Sequence, residues 1–193
     1  MTQANYTRRL RGAMTGYWNG SLTRDDFLQV MQVQVIDGLT AAYLEGAKAA
    51  GIASEDELTD AEARELNDAI KQESTQLDNL ADFIRDHNKA AGTKLTDLLA
   101  IKLDLWALRY ADVAGRARIT TGKDKKYKWV LGPTEHCTTC AKLANLVHRG
   151  SQWRNYVLPQ NPPNEQLECG GWRCQCALVE TSERASRRYP PVP

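Results

Sequence analysis

All five cysteines of this 193-residue chain lie in two short stretches, HCTTC at 136–140 and CGGWRCQC at 169–176. Cys137 and Cys140 have the spacing at which two thiolates point into one tetrahedral site while nearby backbone N–H groups stabilise the sulfur charge. Cys169, Cys174 and Cys176 supply the other half. In an extended segment Cys174 and Cys176 project to the same side. Gly170 and Gly171 allow a tight turn beside Cys169. A structural Zn2+ needs four ligands, and these five thiols flanked by His136 and His148 exceed that number. The expected set is Cys137, Cys140 and Cys174, with Cys176 or Cys169 as the fourth. His136 and His148 are expected to face solvent or to be hydrogen-bonded.

Compartment decides between metal and disulfide. The start of the chain has arginines but no apolar stretch of the secretory type. No apolar run is long enough to span a bilayer. Synthesis in a reducing cytoplasm is therefore expected, with no membrane partner, and there paired cysteines bind metal more often than they form disulfides.

A catalytic metal would keep one position open and stand beside an acid or base. The zinc-deaminase pattern needs H-x-E ahead of P-C-x-x-C. Here His87 is followed by Asn88 and Lys89, and the residue before Cys137 is His136. H-E-x-x-H, G-x-S-x-G and a Walker loop are all missing from the sequence. Glu135 is the one carboxylate beside the first cysteine pair, and it reads as a surface loop residue. The chain is accordingly expected not to be an enzyme.

The elements that must position the cysteines divide into a helical body and a different C-terminal part. Phe27, Val30, Met31, Val35, Leu39, Ala42 and Tyr43 recur at helical spacing after a Thr23/Asp26 capping pair, and Gly51 is a plausible stop. Thr59 and Glu62 open a second long helix. Its stripe is Leu66, Ile70, Leu77, Leu80 and Ile84, with Glu73 in one slot. A third runs from Leu95 through Trp106 and Val113 to the region of Gly115–Gly122. At TGKDKKYKWVLG the pattern changes to lysines and a short alternating strand. Beyond it Pro and Gly become frequent. The fold class expected is mainly α, α+β overall. The divisions are a long-helix bundle over 1–121, a zinc-stapled module with short strands over 122–180, and a basic, Pro-rich flexible tail over 181–193.

Charge follows the same division. Residues 1–24 carry four arginines and no acid, residues 25–115 carry 18 acids against 8 bases, and residues 116–193 carry 13 bases against 6 acids. An acidic body with basic ends fits two kinds of partner. Lys123, Lys125, Lys126, Lys128, Arg187 and Arg188 are the candidate nucleic-acid contacts, through phosphate and without base readout.

With these residues laid out, the chain resembles phage head-morphogenesis or minor capsid proteins of the phage Mu protein F type. The likeness lies in GYWNGSLTRDDFLQVM leading into AAYLEGAKAAGI, in WVLGPTEHCTTC, and in the closing CQCAL. The C-terminal pattern is the specific part. The resemblance implies a virion component made in the host cytoplasm, associated with portal or major capsid protein and with packaged DNA. It carries the family's cysteine pattern onto Cys137, Cys140, Cys174 and Cys176. Many members have a histidine shortly before the final C-x-C, where this chain has Cys169 farther upstream. Two other readings compete: a zinc-ribbon nucleic-acid adaptor outside any virion, and a metal-dependent hydrolase or toxin.

Overall fold

A computed structural model of the chain describes every residue except 123, 134, 161–163, 173, 192 and 193. It is mainly helical, with one small three-stranded sheet. The chain divides into two units. One comprises Met1–Glu45 and Ser54–Ala114, the other Gly46–Ala53 and the residues from Gly115 on. The division thus falls earlier than the expected boundary at 121, inside a helix.

The first unit opens with a helix that hydrophobic periodicity from residue 23 onward had not included. Helix α1 (Gln3–Trp18) buries Tyr6, Leu10, Ala13 and Met14, and its N-cap Thr2 accepts from the Asn5 N–H. Helix α2 (Arg24–Ala47) starts as expected. Asp26 N–H donates to Thr23 Oγ1 at 3.2 Å and Thr23 N–H to Asp26 Oδ2 at 3.3 Å. Phe27, Met31, Val35, Leu39, Ala42 and Tyr43 are buried, and each such side chain contributes about 1.5–3 kcal/mol over its exposed state. Gly38 is where α1 and α2 meet, since a Cβ there would lie 2.3 Å from the Tyr6 ring.

The stripe from Leu66 to Ile84 belongs to two helices rather than one, α3 (Asp60–Ser74) and α4 (Leu77–Asp86). The break has a local cause. Ser74 Oγ donates to the Ile70 carbonyl and Thr75 Oγ1 to the Gln72 carbonyl. Hydroxyl groups that bond back to preceding carbonyls compete with the helical ladder. Helix α5 (Leu95–Thr121) follows. Glu73, the charge in the apolar stripe, is buried and ion-paired to Arg109, which also lies 3.5 Å from Asp112.

In the second unit β1 (Lys126–Val130) lies between β2 (Val147–Arg149) and β3 (Ala177–Glu180), antiparallel to both. Its alternation sends Tyr127 and Trp129 inward and leaves Lys126, Lys128 and Val130 on the other face. Helices α6 (Thr138–Leu143) and α7 (Gly150–Tyr156) occupy part of the stretch between the cysteine clusters that reads in sequence as a loop. Tyr127, Trp129, Leu143, Trp153, Val157, Leu167 and Leu178 form the core with Cys140 and Cys176.

The basic tail, expected to be a flexible arm from 181, instead packs on this unit through its described part. Thr181 N–H donates to the Lys126 carbonyl, and Ser186 pairs with Val147 through both its N–H and its hydroxyl. Tyr189 stacks on His148 at 3.9 Å and lies 4.2 Å from the Tyr156 ring. An aromatic residue with a buried slot, and a sheet edge whose N–H and C=O need partners, outweigh the composition of the segment.

Candidate metal centre

The cysteines of the two sequence clusters meet at the start of α6. Cys137 is the N-cap of that helix, its Sγ accepting from the Cys140 N–H at 3.4 Å. The spacing of two residues is thereby explained: the first sulfur caps the helix and the second sits inside its first turn. Cys140 Sγ lies 4.0 Å from Cys174 Sγ. The Sγ atoms of Cys137, Cys140 and Cys169 lie mutually within 4.8 Å, and so do those of Cys140, Cys174 and Cys176. All five cysteines named from sequence therefore come together, around Cys140. They could hold a metal ion.

The second cluster is shaped by its glycines. Gly170 and Gly171 both take positive φ, 62° and 78°, where a Cβ would be strained. That turn returns the chain from Cys169 towards Cys174. It also leaves Trp172 in solvent, 57% exposed.

The sulfurs differ in their electrostatics. Burial works against the Cys137 thiolate, but backbone N–H groups of Cys140 and Cys169 outweigh it and hold its pKa below the ordinary thiol value. Cys174 is brought down to about 5, chiefly by its hydrogen bond with Cys140. The neighbouring Cys174 sulfur and burial push Cys140 far up. Burial raises Cys169 to about 11 and also raises Cys176. A soft cation bound there would displace the protons left on these sulfurs.

Four supporting residues gave no signal in the sequence. Gly132 supplies a backbone hydrogen bond to Cys176, and a Cβ there would lie 2.5 Å from the Gln175 carbonyl oxygen. Glu168 Oε2 accepts from the Thr138 N–H at 2.8 Å, tying the second cluster to the first turn of α6. Asn164, buried, donates to the Leu158 and Gln160 carbonyls and accepts from the Gln166 N–H. Gln160 donates to the Cys176 carbonyl. Single polar residues in irregular loops have no period to read.

His136 is exposed with its Nδ1 3.8 Å from Cys176 Sγ. His148, expected to face solvent or to be hydrogen-bonded, is buried under Tyr189, and its Nε2 has no hydrogen-bond partner among the described residues. Glu135 is exposed. Of the lysines, Lys125 pairs with Glu180 and Lys128 with Glu183, while Lys126 Nζ donates to the Ser182 carbonyl. Lys123 lies outside the described residues. Lys126 and Lys128 fasten the tail to the sheet, whereas Lys125 pairs with a residue of β3. Arg184, Arg187 and Arg188 are exposed.

No protein-family model, curated protein or solved structure matches this chain.

Proposed function

We propose that this chain is a non-enzymatic structural protein of a phage particle, a minor capsid or head-morphogenesis component whose second unit is stapled by Zn2+. The observation that carries the reading is the convergence of all five cysteines from two clusters around the first turn of α6. The WVLGPTEHCTTC and CQCAL resemblance supports the virion assignment. In this reading the metal contributes folding free energy, closing a stretch of chain that its small core does not hold alone.

The helical unit is the surface offered to portal or major capsid protein. Its α2 leaves Val30, Val33 and Ile36 in solvent, 37%, 48% and 41% exposed, on a body with an excess of acids. Packaged DNA would be met by the exposed arginines 184, 187 and 188 through phosphate contacts. The test is co-sedimentation with portal or major capsid protein co-expressed from the same genome. Association lost in the Val33→Glu, Ile36→Glu double variant, with thermal stability retained, is the expected result. No association with either protein overturns the reading. Tight, salt-sensitive DNA binding in the same preparation would favour the zinc-ribbon adaptor instead.

A further inference from the structure

We propose that the cysteine cluster is a binuclear centre, with two thiophilic divalent ions of the Zn2+ class joined by Cys140 Sγ. The proposal rests on the metal-centre reading above and concerns how many ions that centre takes.

A single tetrahedral ion with Zn–S bonds of about 2.3 Å places its four sulfurs ~3.8 Å apart, all six pairs alike. The five sulfurs here are not arranged that way. They form two triangles, Cys137–Cys140–Cys169 and Cys140–Cys174–Cys176, each closed within 4.8 Å and sharing one corner. No set of four meets the same distance. A thiolate has lone pairs enough for two metals, and the shared sulfur is the one placed to bridge.

Each triangle has its own support. On the first side Cys137 Sγ accepts from the Cys140 N–H, and Cys169 has a backbone hydrogen bond from Gly171. On the second side Cys174 and Cys176 have backbone hydrogen bonds from Cys176 and Gly132 respectively. His136 Nδ1 lies 3.8 Å from Cys176 Sγ but outside the 4.8 Å that closes the second triangle, so its exposed ring would have to turn further into the cluster to give the second ion a fourth ligand. Without that turn each ion is bound by three sulfurs and a solvent oxygen.

Charge points the same way. Four thiolates around one Zn2+ leave two negative charges, and the fifth sulfur remains a thiol among them. Five thiolates around two Zn2+ leave one negative charge and no thiol. Cys140 and Cys176 are almost wholly buried, 1% exposed each, and burial penalises the more highly charged arrangement.

The experiment loads the reduced full-length protein with excess Zn2+, removes unbound metal, and measures ions per chain by elemental analysis and native mass spectrometry. Thiols open to a colorimetric reagent are counted in parallel. Two ions and no reactive thiol are expected. The His136→Ala, Cys176→Ser double variant should keep one ion, with the helix signal of the first unit retained. One ion per chain with one reactive thiol overturns the binuclear proposal and leaves the structural zinc reading standing. Two ions retained in the double variant overturn the assignment of the second site. No bound metal overturns both the proposal and the reading on which it rests.

Discussion

Cys140 and Cys174 stand 34 residues apart in the chain, and their sulfurs are 4.0 Å apart in the fold. A crosslink of that span removes about 4 kcal/mol of loop entropy from the unfolded chain. Chelation, or Cys174→Ser, is therefore expected to melt the second unit by that order while the helices of the first persist. Far-ultraviolet circular dichroism and tryptophan fluorescence followed together check this. Only the small share of helix in α6, α7 and the end of α5 should go with the metal, and loss of most of the helix signal contradicts it.

Gly132→Ala tests the close approach behind Cys176. Its new Cβ would lie 2.5 Å from the Gln175 carbonyl oxygen and 2.7 Å from the carbonyl carbon, and overpacking of this kind costs about 1–3 kcal/mol. A lowered melting temperature and weakened metal retention are expected. Gly12→Ala is the control: it lies within α1 with nothing within 4 Å of the added carbon, and it should stabilise by about 0.5–1 kcal/mol.

His148 makes the second unit sensitive to acid. Burial holds its pKa below the ordinary 6.5, between the stacked Tyr189 ring and the edge of Trp153. The folded state keeps the ring neutral while the unfolded chain takes up a proton near 6.5. Its contribution is complete above pH 6.5 and is lost as pH falls from there through the folded pKa. Stability measured at pH 7.5 and 5.5 should fall less in His148→Phe than in wild type. Comparing the two slopes separates His148 from the thiolates, which also take up protons in acid. Equal slopes would remove His148 from the account.

Arg109 holds Glu73 inside the helical unit, and both are largely buried. Breaking a buried pair from one side leaves an uncompensated charge, at a cost of about 3–5 kcal/mol. Arg109→Leu should lower the denaturant midpoint by that order. The double variant Arg109→Leu, Glu73→Leu should recover much of the loss, and failure to recover would assign the cost to other partners of Arg109.

DNA association, where it occurs at low salt, should depend on the arginines of the tail. Arg187→Ala with Arg188→Ala is expected to reduce the salt slope by about 2, since each phosphate contact contributes roughly 0.9. Lys126→Ala with Lys128→Ala should instead loosen the tail, because those lysines bond to Ser182 and Glu183. The opposite ranking would return the phosphate contact to the lysines.

The sequence by itself determined the helical class, the starts of α2 and α3, the strand at Tyr127–Trp129 and the pairing of two cysteine clusters that the fold brings together. Each of these is written in a local signal: capping pairs, period, or spacing along a few residues. Tertiary structure decided the rest. It split the Leu66–Ile84 stripe at Ser74–Gln76, where hydroxyls satisfy carbonyls sideways. It turned the 181–191 segment from an arm into a cover for β2, because Ser186 and Tyr189 found partners far back in the chain. It also paired Lys125 with Glu180 and Lys128 with Glu183, and gathered five sulfurs around one of their number. Spacing along a chain fixes which residues are neighbours on one turn. Which of two distant clusters shares a corner with the other depends on close packing, and that is set by contacts such as Gly132 against Gln175 that have no period in the sequence.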